Sequence, residues 1–133
     1  MASKKKIELL TIFLNWYHLK KIQIATLEVY REEDLFSRAA ELAPYFQEAV
    51  HSLADCKNVI DVRNLGLMGA IELESIAGKP TVRAMEAFQK AFERGLLVRT
   101  TGDTIALSPP LIVERKHIDF IAETVRDVIE TVH

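Results

Sequence analysis

Arg99 is the residue of this chain with the clearest capacity for recognition chemistry. It lies in the first of two short β-type runs, Leu96 to Thr100 and Thr104 to Leu107, which flank a Thr101-Gly102-Asp103 turn signal. Arginine is costly to bury without a partner, and its planar fork of donors matches a carboxylate or a phosphate. The stretch from Gly95 to Ile112 therefore reads as a hairpin or tight strand pair presenting one anion-binding side chain.

The other reactive residue types form no comparable arrangement. Glu72 and Glu74 share a strand face, as paired acid/base carboxylates would, but on the exposed face of an antiparallel sheet two glutamates read as solvated charge. Ala77-Gly78-Lys79-Pro80 echoes a phosphate-binding Gly-Lys, yet the earlier glycine of that loop and the Ser or Thr after the lysine are both missing. Tyr45 and His51 fall on a helical pattern as packing and surface residues. His18, His51, His117 and His133 are far apart with no Cys or carboxylate at ligand spacing, so no metal site is expected. No Gly-rich nucleotide fingerprint, nucleophile elbow or internal repeat occurs, and no catalytic residue is assigned.

The elements that position Arg99 follow from periodicity. From Ile7 to about Glu33 there is no proline or glycine, and the spacing predicts a long helix, with a break allowed near Lys20 to Gln23. Its first half is apolar on nearly every side, which makes it either a surplus core helix or a surface for self-association. Asp34 caps a second helix, whose stripe runs from Leu35 to Leu53, and Pro44 is expected to kink or divide it. Asn58 to Asn64 and Leu67 to Glu74 read as an antiparallel hairpin turning at Gly66. Thr81 to Arg94 is helical, with Val82, Met85, Phe88, Ala91 and Phe92 as its core stripe and Gly95 as its cap. After the Arg99 strand pair, Pro109-Pro110 turns the chain outward, and a last helix covers about Glu114 to Val132. The fold class is α+β: a mostly antiparallel sheet of about four strands with helices packed on one face.

The 133 residues fit one domain, 49% hydrophobic and 27% charged. With 17 basic and 19 acidic side chains there is no electrostatic footprint for nucleic acid. One cysteine, Cys56, cannot form an internal disulfide and does not call for an oxidising compartment. Lys4-Lys5-Lys6 followed by apolar residues has the outline of a signal peptide, but Glu8 interrupts the run and no small-residue cleavage site follows. No apolar run is long enough to span a membrane, so a cytoplasmic location is expected.

Several separated motifs occur in the order of a known family. The run from Ala25 to Phe46, including Leu27-Glu28-Val29-Tyr30 and Leu42-Ala43-Pro44-Tyr45, resembles the start of the carboxy-terminal small domain of class III aminotransferases. Asn58-Val59-Ile60-Asp61-Val62-Arg63 and Gly66-Leu67-Met68-Gly69-Ala70-Ile71-Glu72-Leu73 extend the match. It is nearest to the β-alanine (ω-amino acid):pyruvate branch of these pyridoxal-phosphate enzymes. The resemblance covers roughly residues 24–133 and implies the small domain of the fold-type I transferases.

In that family the large domain supplies the Schiff-base lysine, the aspartate for the pyridine nitrogen and the groups that hold the phosphate. No lysine here matches the cofactor lysine's motif. The resemblance therefore implies a chain with no cofactor-binding residue of its own, pyridoxal phosphate belonging to the full-length family, and with the large domain as its missing partner. The motif matching Leu97-Val98-Arg99-Thr100-Thr101-Gly102-Asp103 carries the arginine that pairs with the substrate carboxylate, so Arg99 is the expected substrate-binding residue. For a larger substrate without that carboxylate, such an arginine swings away. Residues 1–23 depart from the family and stand as a separate, helical segment: a leader, or the start of a degenerate gene. That segment could cover the surface left by the missing domain or join copies into a homo-oligomer. The alternatives to a catalytically inactive transaminase fragment are a self-associating unit and a small-carboxylate-binding module.

Overall fold

The computed structural model describes residues 21–133, so the expectations placed on Met1 to Lys20 lie outside the described residues. The chain falls into two compact units, one ending at Phe36 and the other spanning Ser37–His133. In the first, residues 21–32 are helical (α1), with no break at residues 21–23. Thr26 Oγ1 donates to the Ile22 carbonyl at 2.9 Å, and Tyr30 meets Phe36 edge-on with ring centroids 5.5 Å apart.

Helix α2 spans Leu35–His51 with Pro44 inside it, so of the kink or division expected there the division does not occur. Proline deprives the carbonyl four residues earlier of its donor. Here both Ala40 and Pro44 are exposed, so water can serve that carbonyl. Asp34 precedes the helix with φ 47°, in the left-handed region that aspartate tolerates better than most residues.

The second unit is built on an antiparallel sheet of β1 (Val59–Leu65), β2 (Met68–Leu73), β3 (Arg99–Thr101) and β4 (Thr104–Leu107), in the order β1-β2-β4-β3. Gly66, at φ 57°, makes the tight turn between β1 and β2. Val59 faces Leu73 while Asp61 faces Glu72, so Ile60 is an extra residue bulged out of β1. Beyond the bulge β1 alternates regularly, with Val62 toward the core and Asp61 and Arg63 on the opposite face.

One face of the sheet is covered by α2, α3 (Val82–Glu93) and α4 (Arg115–Thr131). Ile71, Leu73, Ile105 and Leu107 enter this core with Phe46, Val50, Leu53, Ala87, Ala91, Ile118, Val125 and Ile129. Burying each of the large side chains contributes about 1.5–3 kcal/mol. Gly69 lets α2 approach β2 closely: a Cβ there would lie 3.2 Å from Val50 Cγ2 and 3.3 Å from Phe46 Cε1. The expected α+β architecture of about four antiparallel strands is what the structure shows.

Helix α3 differs in the face it buries. Arg83, Ala84, Ala87 and Ala91 point inward, while Val82, Met85 and Phe92, expected in the core, are exposed. Small residues face the core because α3 packs tightly against α4 and the β3–β4 hairpin, where bulky side chains would not fit. Buried Arg83 is satisfied by the Glu74 carbonyl and, at 3.0 Å, the His133 carbonyl. Helix α4 starts at Glu114, whose backbone N–H donates to His117 Nδ1 at 3.2 Å.

Candidate functional site

The strand carrying Arg99 is shorter than its sequence pattern: it begins at Arg99, because Leu96 to Val98 are used in leaving α3. The Leu96 N–H donates to the Ala91 carbonyl at 2.9 Å and the Gly95 N–H to the Phe92 carbonyl at 3.0 Å. These are the two bonds of a Schellman motif, and Gly95 takes the positive φ, 85°, that the motif requires. At the far end Thr101 pairs with Thr104 around a two-residue turn, Gly102-Asp103. Positive φ occurs only at the first of these, Gly102 (φ 60°), as in a type II′ hairpin turn.

Alternation along β3 then decides which side chains face where. Val98 is buried and Thr100 is half-buried on the helix side, its Oγ1 3.7 Å from Met85 Sδ. Arg99 and Thr101 point to the uncovered face. On that face Arg99 stands opposite Ala106, Ala106 opposite Ala70, and Ala70 opposite Arg63. One row of the sheet thus has an arginine at each edge and two methyl groups between them.

The two arginines are not equivalent. Arg63 Nη1 donates to Glu72 Oε2 at 2.8 Å and to Asp61 Oδ2, so its charge is met from two sides. The expected solvated Glu72 is therefore an ion-pair partner, while Glu74 is exposed just beyond the end of β2. Arg38, Arg83, Arg94 and Arg126 are also engaged, the first two by backbone carbonyls, Arg94 by Asp127 and Arg126 by Ser52. Among the described residues the Arg99 side chain makes no hydrogen bond, ion pair or ring contact. Its guanidinium is exposed, with all five donors available to an incoming anion.

A cavity of about 540 Å³ borders Arg99, with Phe88, Leu96, Leu97, Pro109 and Ile121 in its wall. No lysine lines it. Lys90 is spent on Glu86 and the Thr131 carbonyl, both contacts within 2.8 Å, and Lys116 on Glu114 at 2.8 Å; Lys57 and Lys79 are exposed away from it. The lining of this cavity therefore does not fit pyridoxal phosphate, which needs a lysine amine aimed into its site and donors around its phosphate. Tyr45, read as a packing residue, donates to Asp119 and carries Arg115 4.8 Å above its ring, a fastening between α2 and α4. His51 Nε2 lies 2.9 Å from Asn64 Oδ1 at the surface. Cys56 is buried and free, and burial pushes its thiol pKa up. Among the described residues no group of three or more His, Cys, Asp or Glu is arranged to hold a metal ion, and no helix is long and apolar enough to cross a membrane.

Comparison with known proteins bears directly on this arrangement. Residues 20–129 match the family model for aminotransferase class-III. The chain belongs to the class-III aminotransferases. Among curated members, an omega-aminotransferase of Caulobacter vibrioides is 62% identical over 106 residues. A beta-alanine–pyruvate aminotransferase of Pseudomonas aeruginosa is 38% identical, and an omega-amino acid–pyruvate aminotransferase of Pseudomonas putida 36%. Each alignment takes in 80% of this chain and 24% of the relative, so the chain spans about a quarter of the length of these class-III enzymes.

Solved aminotransferase structures agree in fold. An adenosylmethionine-8-amino-7-oxononanoate aminotransferase from Methanocaldococcus jannaschii superposes with a TM-score of 0.75 at 26% identity, over 82% of this chain and 26% of its own. A lysine aminotransferase from M. tuberculosis does so at 0.67 and 30%, over 77% and 23%.

Proposed function

We propose that this chain is the small-domain portion, residues 24–133, of a cytoplasmic ω-amino acid:pyruvate aminotransferase, and that Arg99 is its substrate-carboxylate clamp. The observation that carries the reading is the unpartnered guanidinium of Arg99 on the open sheet face, in a molecule whose other core-domain arginines are tied down. The name of the relative at 62% identity supports an ω-transaminase, and those at 38 and 36% support an ω-amino acid as donor and pyruvate as acceptor.

An ω-amino acid donor carries its carboxylate remote from the amine. A bidentate arginine fixes the carboxylate end, and the cavity wall beside it offers apolar contact to the methylenes between the two groups. Ala106 and Ala70 keep the row beside Arg99 free of bulk, so an elongated substrate can lie across the sheet face. The electron-sink chemistry belongs to pyridoxal phosphate, which this reading places on the part of the family enzymes with which this chain does not align. By itself the chain binds and orients but transfers no amino group.

The test is to incubate the purified chain with pyridoxal phosphate, β-alanine and pyruvate, follow alanine formation, and reduce with borohydride. The expected outcome is no alanine and no stoichiometric adduct at any one lysine. Turnover, or trapping of the cofactor on a single lysine, would refute the reading.

A second reading, self-association through the first helical segment, is favoured by the exposure of Ile22 and Leu27, each 63%, and Ile24, 56%. Sedimentation of the full chain against a version lacking residues 1–21 decides it. A monomer in both eliminates the idea.

A further inference from the structure

The turn residue Asp103 occupies a place that the carboxylate-clamp reading leaves unexplained. Its Oδ1 accepts a hydrogen bond from the Thr81 backbone N–H at 2.8 Å, 22 residues away in sequence. Thr81 is the residue before α3, it has φ 70°, and its own side chain makes no cap hydrogen bond. Asp103 therefore satisfies, from another element, one donor at the start of α3 that would otherwise be left without a partner, the Thr81 N–H. The Asp103 backbone carbonyl is also used: it accepts from the Leu73 N–H at 2.9 Å, extending the β2–β4 ladder into the turn.

These contacts close a ring of structure around Arg99. Helix α3 passes through its Schellman cap directly into β3, and β3 ends in the turn whose second residue reaches back to the start of the same helix. Midway, Thr100 touches Met85 from the helix side. The ring matters because β3 is a three-residue edge strand hydrogen-bonded on one side only, to β4. A pairing this short specifies its own position weakly. Gly102 adds freedom at the turn itself.

We infer that Asp103 is a positioning residue for Arg99: by bracing the β3–β4 turn against the start of α3, it holds the arginine where it can receive a substrate carboxylate. This rests on the reading of Arg99 as the carboxylate clamp. The function of Asp103 is acceptor geometry, so an asparagine, whose Oδ1 accepts the same bond, preserves it, whereas alanine releases the turn. Asp103 does not contact the ligand and contributes no group to it.

The experiment is a titration of the full chain, isotopically labelled, with β-alanine, following the Arg99 guanidinium Nε–H by nuclear magnetic resonance. Far-ultraviolet circular dichroism and the melting temperature are recorded for each variant. Asp103→Ala is expected to weaken β-alanine binding by about three- to tenfold, the worth of one hydrogen bond. Asp103→Asn is expected to stay within about twofold of the parent on the same scale. Variants equally destabilised elsewhere in the core should not move the affinity. If Asp103→Ala does not fold, Asp103→Ser, which keeps a polar turn residue but falls short of Thr81, is judged by the same criterion. Saturation by the parent and the alanine or serine variant at equal affinity would overturn the positioning role and leave the clamp intact. No saturable shift at Arg99 in the parent would remove the clamp reading, and this inference with it.

Discussion

Arg99 stands directly opposite Ala106 across the β3–β4 ladder, and the methyl group leaves the face beside the guanidinium open. The matching arginine on the other edge, Arg63, stands opposite Ala70 in the same row but is held by Glu72 and Asp61. Filling the open position tests its importance. Ala106→Leu should leave the fold intact, since Ala106 is on the uncovered face, and should weaken carboxylate binding at Arg99 by about tenfold or more, about 1.4 kcal/mol or more of steric exclusion. The measurement is the same β-alanine titration, with melting temperature as control.

Helix α3 offers a sharp contrast between its two faces. Ala87 is 1% exposed and Ala91 2%, whereas Phe92 is 63% exposed. Ala87→Leu is expected to cost about 1–3 kcal/mol by overpacking. Phe92→Ser should stay within about 0.5 kcal/mol of the parent. Urea denaturation of both variants checks the pair, and the reverse ranking would mean that the large apolar residues face the core after all.

The two faces of α3 also show where sequence reading loses its footing. Val82, Met85, Phe88 and Phe92 recur at helical spacing, and so do Ala84, Ala87 and Ala91. Hydrophobicity ranks the first set, together with Ala91, as core, but the tight approach of α3 to α4 and the hairpin fully buries only the second, leaving Phe88 half-buried against the core and Val82, Met85 and Phe92 exposed. That spacing between elements is a tertiary quantity and leaves no local trace. The two hairpins were legible because each has its own signal: Gly66 and Gly102 at positive φ, and alternation in the strands beside them. Pro44 does not divide α2, since the cost of a helical proline depends on whether water reaches the freed carbonyl. Arg99 was visible from the sequence as a lone arginine in a β-type run. Its unpartnered state was not, and the Asp103 to Thr81 brace joins residues 22 apart with no periodic or motif signal.

Gly69 is required by contact, not by backbone conformation. Gly69→Ala would place a methyl group 3.2–3.3 Å from Val50 and Phe46, and is expected to cost about 1–3 kcal/mol. The double variant with Val50→Ala should cost less than the sum of the two single variants, because the residues share one space. A double-mutant cycle by chemical denaturation measures this, and strict additivity would contradict the close approach of α2 to β2.

Acid stability should depend on Glu86. Its hydrogen bond to Lys90, four residues on at 2.8 Å, holds its carboxyl pKa below the ordinary range. A carboxyl with a depressed folded pKa stabilises the protein above its unfolded pKa, about 4.3, and that stabilisation is lost as pH falls through the folded value. Melting temperature is therefore expected to drop below about pH 4.3, and the drop should be shallower in Glu86→Gln. Equal acid limbs in the two proteins would show that the pair does not contribute.

The most direct test of the account is calorimetric titration of the full chain with β-alanine and, in parallel, with ethylamine, which keeps the amine and lacks the carboxylate. The account predicts saturable heat with β-alanine, none with ethylamine, and loss of the β-alanine signal in Arg99→Ala. Equal heats with both ligands, or undiminished β-alanine binding in Arg99→Ala, would contradict the assignment of Arg99 as the carboxylate clamp.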